Sequence, residues 1–157
     1  MIPISSEGLN RETDEVVYFY TPSFDALNNF SAHRIEIWNK RFPTAEHTFQ
    51  WKKFSEVSSA IAKLILQAGC PEEAQNIAHE HKSAQPKDWQ EKKVAVMEEI
   101  LQAKFIQHET VRDALKKSGS RIIYENSPID SFWGVGPDGN GTNMVGVLWM
   151  KIRTDNF

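Results

Sequence analysis

The sequence predicts an α+β fold: a mainly helical single domain with a small β-sheet. Three observations carry this. Apolar residues recur at helical spacing from about residue 46 to 117. Short β-branched and aromatic runs stand outside that stretch at 16–20, 34–38 and 121–125. A loop rich in glycine, with Gly134, Gly136, Gly139 and Gly141, separates the last run from an apolar C-terminal segment. The chain has 157 residues, the size of one ordinary domain. The expected division is a loosely ordered lead-in over 1–15 and one folded domain over 16–157.

In chain order, Val16-Val17-Tyr18-Phe19-Tyr20 reads as a strand ended by Pro22, and Arg34 to Trp38 alternates as a half-exposed strand. Asn28 to Ser31 between them reads as a polar loop around Phe30. Pro43-Thr44 supplies a stop and an N-cap for a helix from Glu46 to about Phe54. Val57, Ile61, Leu64, Ile65 and Ala68 share a helical stripe, with Gly69 as the expected C′ residue. Pro71 opens a helix ending near His79 to His81. Asp88 and Glu91 resemble a capping box before the longest helix, whose face carries Val94, Met97, Leu101, Phe105 and His108. Val111 to Lys117 is a shorter helix stopped by Gly119, and Arg121 to Glu125 is a third strand. For 144–153, apolar throughout, the period does not separate strand from helix.

A net charge of −3 disfavours a protein that grips a nucleic-acid backbone, though a pocket for one or two phosphates needs only a few basic groups. The lone Cys70 permits no internal disulfide, and no apolar run reaches the roughly 20 residues of a membrane helix. The N-terminus lacks the pattern of a signal peptide, so a cytoplasmic location is expected. The glycine loop is neither a P-loop nor a dinucleotide fingerprint: no Lys-Ser/Thr follows it and no βαβ unit contains it. His79 and His81 at i,i+2 do not share a helix face, so no metal is expected. Two constellations stand out. Asp130 and Trp133 enter the glycine loop and Asn143 leaves it. On the helix after Thr44, Glu46, Phe49 or Gln50, and Lys53 fall on one face.

These segments resemble the NADAR (YbiA-like) family. Phe42-Pro43-Thr44-Ala45-Glu46-His47 with Phe49-Gln50 and Lys53-Phe54 is similar to its W-P-T/S-x-E-H-x-[FY]-Q-x-x-K-F motif. The likeness continues in Phe19-Tyr20, Asn29-Phe30-Ser31, Trp89 with Met97, Ala103-Lys104-Phe105 with Gln107, and the run from Glu125 through Asp130, Trp133-Gly134, Asn143 and Gly146 to Arg153. It spans about residues 18 to 153 in one order. Phe42 replaces the usual Trp, Asn28 the usual Ser and Trp149 a common Leu. Ala78-His79 stands where many members have Gly-Arg, which removes a phosphate-binding arginine.

The resemblance implies an N-glycosidase without metal or cofactor, cleaving a ribose C1–N bond. Its substrate would be ADP-ribosylated guanine, free or in DNA, or a ribosylaminopyrimidine phosphate of riboflavin synthesis. A domain that binds ADP-ribose or a related nucleotide without cleaving it is the alternative. An oxocarbenium-like transition state calls for a carboxylate near C1. Glu46 is expected there, as charge stabiliser or as base for water, with Asp130 on ribose hydroxyls or the reacting water. Trp89 and Trp133 are candidates to stack on the heterocycle, Trp89 equally a core residue, and Asn29 and Asn143 to bond polar edges. Phe19, Phe30, Gln50 and Gly134 complete the expected substrate contacts. Lys53 keeps two possible jobs. Charged, it binds phosphate; neutral, it attacks C1 and forms an imine, which requires a lowered pKa.

Overall fold

The computed structural model describes residues 12–18 and 22–157, with the side chains of residues 22 and 23 left aside. Most of the expected lead-in therefore lies outside the described residues, as do Phe19 and Tyr20 of the first strand. The described residues carry six α-helices and four short strands in two separate two-stranded sheets, the mainly helical α+β architecture expected. They divide into two compact units, Asn29–Gln107 and the remainder: the residues up to Asn28 together with His108–Phe157.

In the Asn29–Gln107 unit, β2 (Ile35–Ile37) and β3 (Lys40–Phe42) form an antiparallel hairpin in which Ile35 faces Phe42. The sequence reading missed β3. Its turn, Trp38-Asn39, takes positive φ at both residues, 53° and 60°, without the Asn-Gly pair that announces such turns. Four helices follow: α1 (Ala45–Phe54), α2 (Ser59–Leu66), α3 (Pro71–Glu80) and α4 (Trp89–Gln107). Helix α1 packs against each of the other three. Phe54, Ala62, Ile65, Ala74 and Ala78 form an apolar cluster among α1, α2 and α3. Burial of Phe54 or Ile65 contributes about 1.5–3 kcal/mol each.

Two end signals differ from expectation. Helix α2 closes on Gln67, so Gly69 is not its C′ residue; the Gly69 N–H instead donates to Glu73 Oε2 at 2.7 Å. Asp88 does not cap α4, because its carboxylate pairs with Lys92 one turn on, at 2.7 Å. That pairing holds the Asp88 carboxyl below, and the Lys92 ammonium above, their ordinary pKa values.

In the other unit, β1 (Val16–Tyr18) runs parallel to β4 (Ile122–Tyr124). Helix α5 (Glu109–Lys117) packs on a 3₁₀ turn at Pro22–Leu27. The ambiguous C-terminal segment is a helix, α6 (Met144–Asn156), packed on β4. A Cβ on Gly146 would collide with the Ile123 carbonyl oxygen, so only glycine lets the helix approach this strand so closely. Trp149 is fully buried, and its indole N–H donates to the Leu27 carbonyl at 2.9 Å.

Candidate active site

Helix α1 begins where the sequence places it. Thr44 is extended, and its Oγ1 accepts the His47 N–H at 3.2 Å, the N-cap bond. The same hydroxyl lies 2.8 Å from His47 Nδ1, while His47 Nε2 lies 2.9 Å from the Ala68 carbonyl. A carbonyl only accepts, so Nε2 carries the proton and His47 ties the helix start to the segment after α2. The Glu46 N–H donates to the Asn29 carbonyl at 3.1 Å. This bond holds two segments of the family pattern, Asn29-Phe30-Ser31 and Glu46-His47, side by side.

Glu46 is buried, at 6% exposure. The Gln50 amide Nε2 donates to Glu46 Oε1 at 2.7 Å, the i,i+4 contact that the common face requires. One turn further, the Lys53 Nζ stands over the rings of Phe49, at 5.6 Å, and Trp89, at 5.7 Å. Trp89 is itself buried against Phe49, with ring centroids 5.2 Å apart. Glu46 with Gln50, and Lys53 with Phe49 and Trp89, are thus two contacting sets, joined by the charge of Glu46 acting on Lys53.

The environment of Lys53 is mixed. Burial lowers its pKa below the usual lysine value, the Glu46 carboxylate raises it, and the nearby charges of Lys93 and Lys82 lower it again; the net shift is downward. Loss of water around the ammonium is the largest of these influences.

Asn29 is buried, its Nδ2 3.6 Å from Met97 Sδ, and Phe30 beside it is half-buried. Sequence reasoning did not single out what holds this loop. Lys104 is fully buried on α4, and its Nζ donates to Ser31 Oγ at 2.8 Å. Ser31 Oγ also lies 2.8 Å from His33 Nδ1. The available signal was a charge in an apolar stripe: Lys104 follows Met97, Ile100 and Leu101 at helical spacing.

In the other unit the glycine loop is built around Asp130 and Asn143. Asp130 Oδ1 accepts the N–H groups of Phe132 at 2.9 Å and Trp133 at 2.7 Å. Asn143 is left-handed, with φ 54° and ψ 44°. It is buried, and its Oδ1 accepts the Glu125 N–H while its Nδ2 donates to the Ile123 carbonyl, each at 2.8 Å. Its amide therefore binds the loop to the end of β4, a structural role the sequence reading did not give it. A Cβ on Gly134 would stand 2.7 Å from the Glu125 carbonyl oxygen, so a larger residue would push the loop open. Trp133 is half-buried with its ring edge-on to Phe132, centroids 4.8 Å apart.

A buried carboxylate and a half-buried amine on one helix face, the amine over two aromatic rings, suit acid–base or nucleophilic catalysis. The fold is small and α+β, and these side chains form its candidate active site. Residues 13–155 match the family model described as the NADAR domain. The chain is 36% identical over 142 residues to N-glycosidase Npun_R5314 of Nostoc punctiforme, covering 88% of this chain and 91% of that protein. It is 32% identical to N-glycosidase YbiA of Escherichia coli, covering 89% and 88%. The riboflavin biosynthesis protein PYRR of Zea mays is 32% identical, and the match covers 92% of this chain but 25% of the maize protein. The solution NMR structure of E. coli YbiA superposes with a TM-score of 0.79 at 28% identity, covering 94% of this chain and 88% of that one. The chain belongs to the NADAR family, and its class is that of enzymes acting on N-glycosyl bonds.

Proposed function

We propose that this protein hydrolyses the ribose C1–N bond of an N-ribosyl substrate, either a ribosylaminopyrimidine phosphate or ADP-ribosylated guanine, and that it works in the cytoplasm. The observation that carries the reading is a buried Glu46 on the same face of α1 as Lys53, whose amine stands over Phe49 and Trp89 where loss of water favours its neutral form. Cleavage breaks C1–N, and the leaving nitrogen takes up a proton. In the route favoured by a neutral Lys53, its Nζ bonds to C1 as the heterocycle leaves. The C1–O4 bond then opens to an imine, and water hydrolyses that imine to free ribose and lysine. Glu46 accepts the Nζ proton and returns one during hydrolysis. Phe49 and Trp89 keep water from the amine. If Lys53 stays charged it binds phosphate, and Glu46 is the base for water attacking C1. Asp130 and Trp133 enter as substrate-side residues on the strength of the family pattern.

The test is product analysis on both substrates, with wild type and Glu46→Gln. Wild type is expected to release free heterocycle from at least one. The variant should fold, since glutamine keeps an acceptor for the Gln50 amide, and lose about 10²–10⁴-fold in turnover. Near wild-type turnover in folded Glu46→Gln removes Glu46 from the chemistry. Borohydride should trap a sugar adduct on Lys53; turnover with no adduct assigns attack on C1 to water.

A further inference from the structure

Two residues bonded to Glu46, Gln50 and Asn29, each carry a buried amide oxygen without a donor among the described residues. Gln50 is 7% exposed and Asn29 6%, yet Gln50 Oε1 and Asn29 Oδ1 have no hydrogen-bond partner among the described residues. Neither orientation is arbitrary. Turning the Gln50 amide over would set its oxygen against the Glu46 carboxylate, and turning Asn29 over would set its oxygen against the Met97 sulfur. Both acceptors are thus fixed with no donor, which a buried amide tolerates poorly. Both residues are tied to Glu46: Gln50 through its Nε2 to the carboxylate, and Asn29 through its backbone carbonyl, which accepts the Glu46 N–H.

We propose that Gln50 Oε1 and Asn29 Oδ1 receive the 2- and 3-hydroxyls of the substrate ribose, so that the enzyme selects ribosides against 2-deoxyribosides. This rests on the reading of Glu46 as the carboxylate at C1. The 2-hydroxyl is carried on the carbon bonded to C1, and Gln50 Oε1 is carried on the amide bonded to that carboxylate. A sugar hydroxyl supplies the donor that each oxygen lacks. The 2-hydroxyl contact also strengthens as positive charge develops at C1, so it favours the transition state over the bound substrate. It works against intrinsic reactivity, because a 2-deoxyriboside loses its base more readily in water.

The experiment compares ribosylaminopyrimidine 5-phosphate and ADP-ribosyl-guanosine with their 2-deoxyribosyl counterparts, after subtraction of uncatalysed cleavage. Wild type is expected to prefer the riboside in kcat/KM by at least on the order of 10²-fold. That is less than the roughly 10⁴–10⁵-fold of sites built to bond a substrate hydroxyl, because the 2-deoxyriboside is intrinsically more reactive. Gln50→Met, close in volume, removes the bond to Glu46 for both sugars but should slow the riboside about tenfold or more beyond the 2-deoxyriboside, lowering the preference by that factor. A wild-type ratio near one overturns the proposal, and so does an equal loss on both sugars in folded Gln50→Met. Should Gln50→Met not fold, the wild-type ratio decides. Absence of turnover on every riboside is a different result: it overturns the N-ribosidase reading itself.

Discussion

At Lys53 two demands pull in opposite directions. Burial disfavours its ammonium, while the rings of Phe49 and Trp89 and the carboxylate of Glu46 favour it. The net downward pKa shift has a consequence for stability. In the unfolded chain this amine titrates near 10.5; in the folded chain it titrates lower. Below the folded value both states hold the proton, and the folded state carries the full penalty of a desolvated charge. Between the two values the unfolded state binds more protons, so stability rises with pH and the penalty fades. Lys53→Met, similar in size and without a charge, lacks this penalty. Thermal melting at a series of pH values should therefore show wild type gaining on Lys53→Met as pH rises from neutral toward 10.5. A difference in Tm that stays flat across that range would mean the folded amine titrates like a solvated one.

Element by element, legibility in the sequence follows how local the deciding forces are. The start of α1 was readable because an N-cap is decided within four residues, Thr44 to His47. The β2–β3 hairpin was not, since its turn depends on distant partners. Trp38 takes a left-handed backbone that a bulky residue disfavours. Its ring stacks on Trp51 with centroids 6.2 Å apart, Lys52 Nζ lies 4.8 Å over it, and its indole N–H donates to Glu99 at 3.1 Å. None of these contacts adjoins the turn in sequence. Helix α6 was ambiguous for a related reason: Gly146 and Trp149 serve one strand and one turn, contacts that periodicity does not register. In the candidate site the side-chain types on α1 were legible, but the burial of Glu46 and the unpartnered amide oxygens required coordinates. The hairpin offers a direct check on the strain. Asn39→Gly, at the second positive-φ position, should stabilise the fold slightly, by less than about 1 kcal/mol. Relief of the left-handed backbone, roughly 1–2 kcal/mol for an ordinary residue, is largely offset by the extra unfolded-state entropy of glycine, about 0.4–1 kcal/mol. Measured by denaturant unfolding, a loss of stability would show that the Asn39 side chain supports the turn.

For the molecule as a whole, charge bears on the form in which a substrate arrives. The chain carries 18 Lys and Arg against 21 Asp and Glu. Several of the basic groups already have partners within the protein: Arg41 pairs with Glu36 at 2.9 Å, Lys92 with Asp88, and Lys104 is buried on Ser31. Lys52 and Lys40 stand over Trp38 and Trp51, with Lys40 Nζ 5.6 Å from the Trp51 ring. Binding to a duplex backbone depends on cations that displace counterions from several phosphates at once, and its strength falls steeply with salt. A net acidic chain with several of its basic groups so engaged has less to offer in that exchange. If ADP-ribosylated DNA is a substrate, recognition then rests on the modification. Unmodified duplex should show no retardation in a gel-shift assay at physiological salt, with a Kd weaker than about 10⁻⁴ M. Cleavage of a modified guanine should proceed at nearly the same kcat/KM in an oligonucleotide as in the free nucleoside, and change little between about 50 and 200 mM salt. Tight, salt-sensitive binding of plain DNA would contradict this, as would a rate on oligonucleotide that collapses over that salt range. Either result would place a backbone-binding surface among the exposed basic residues.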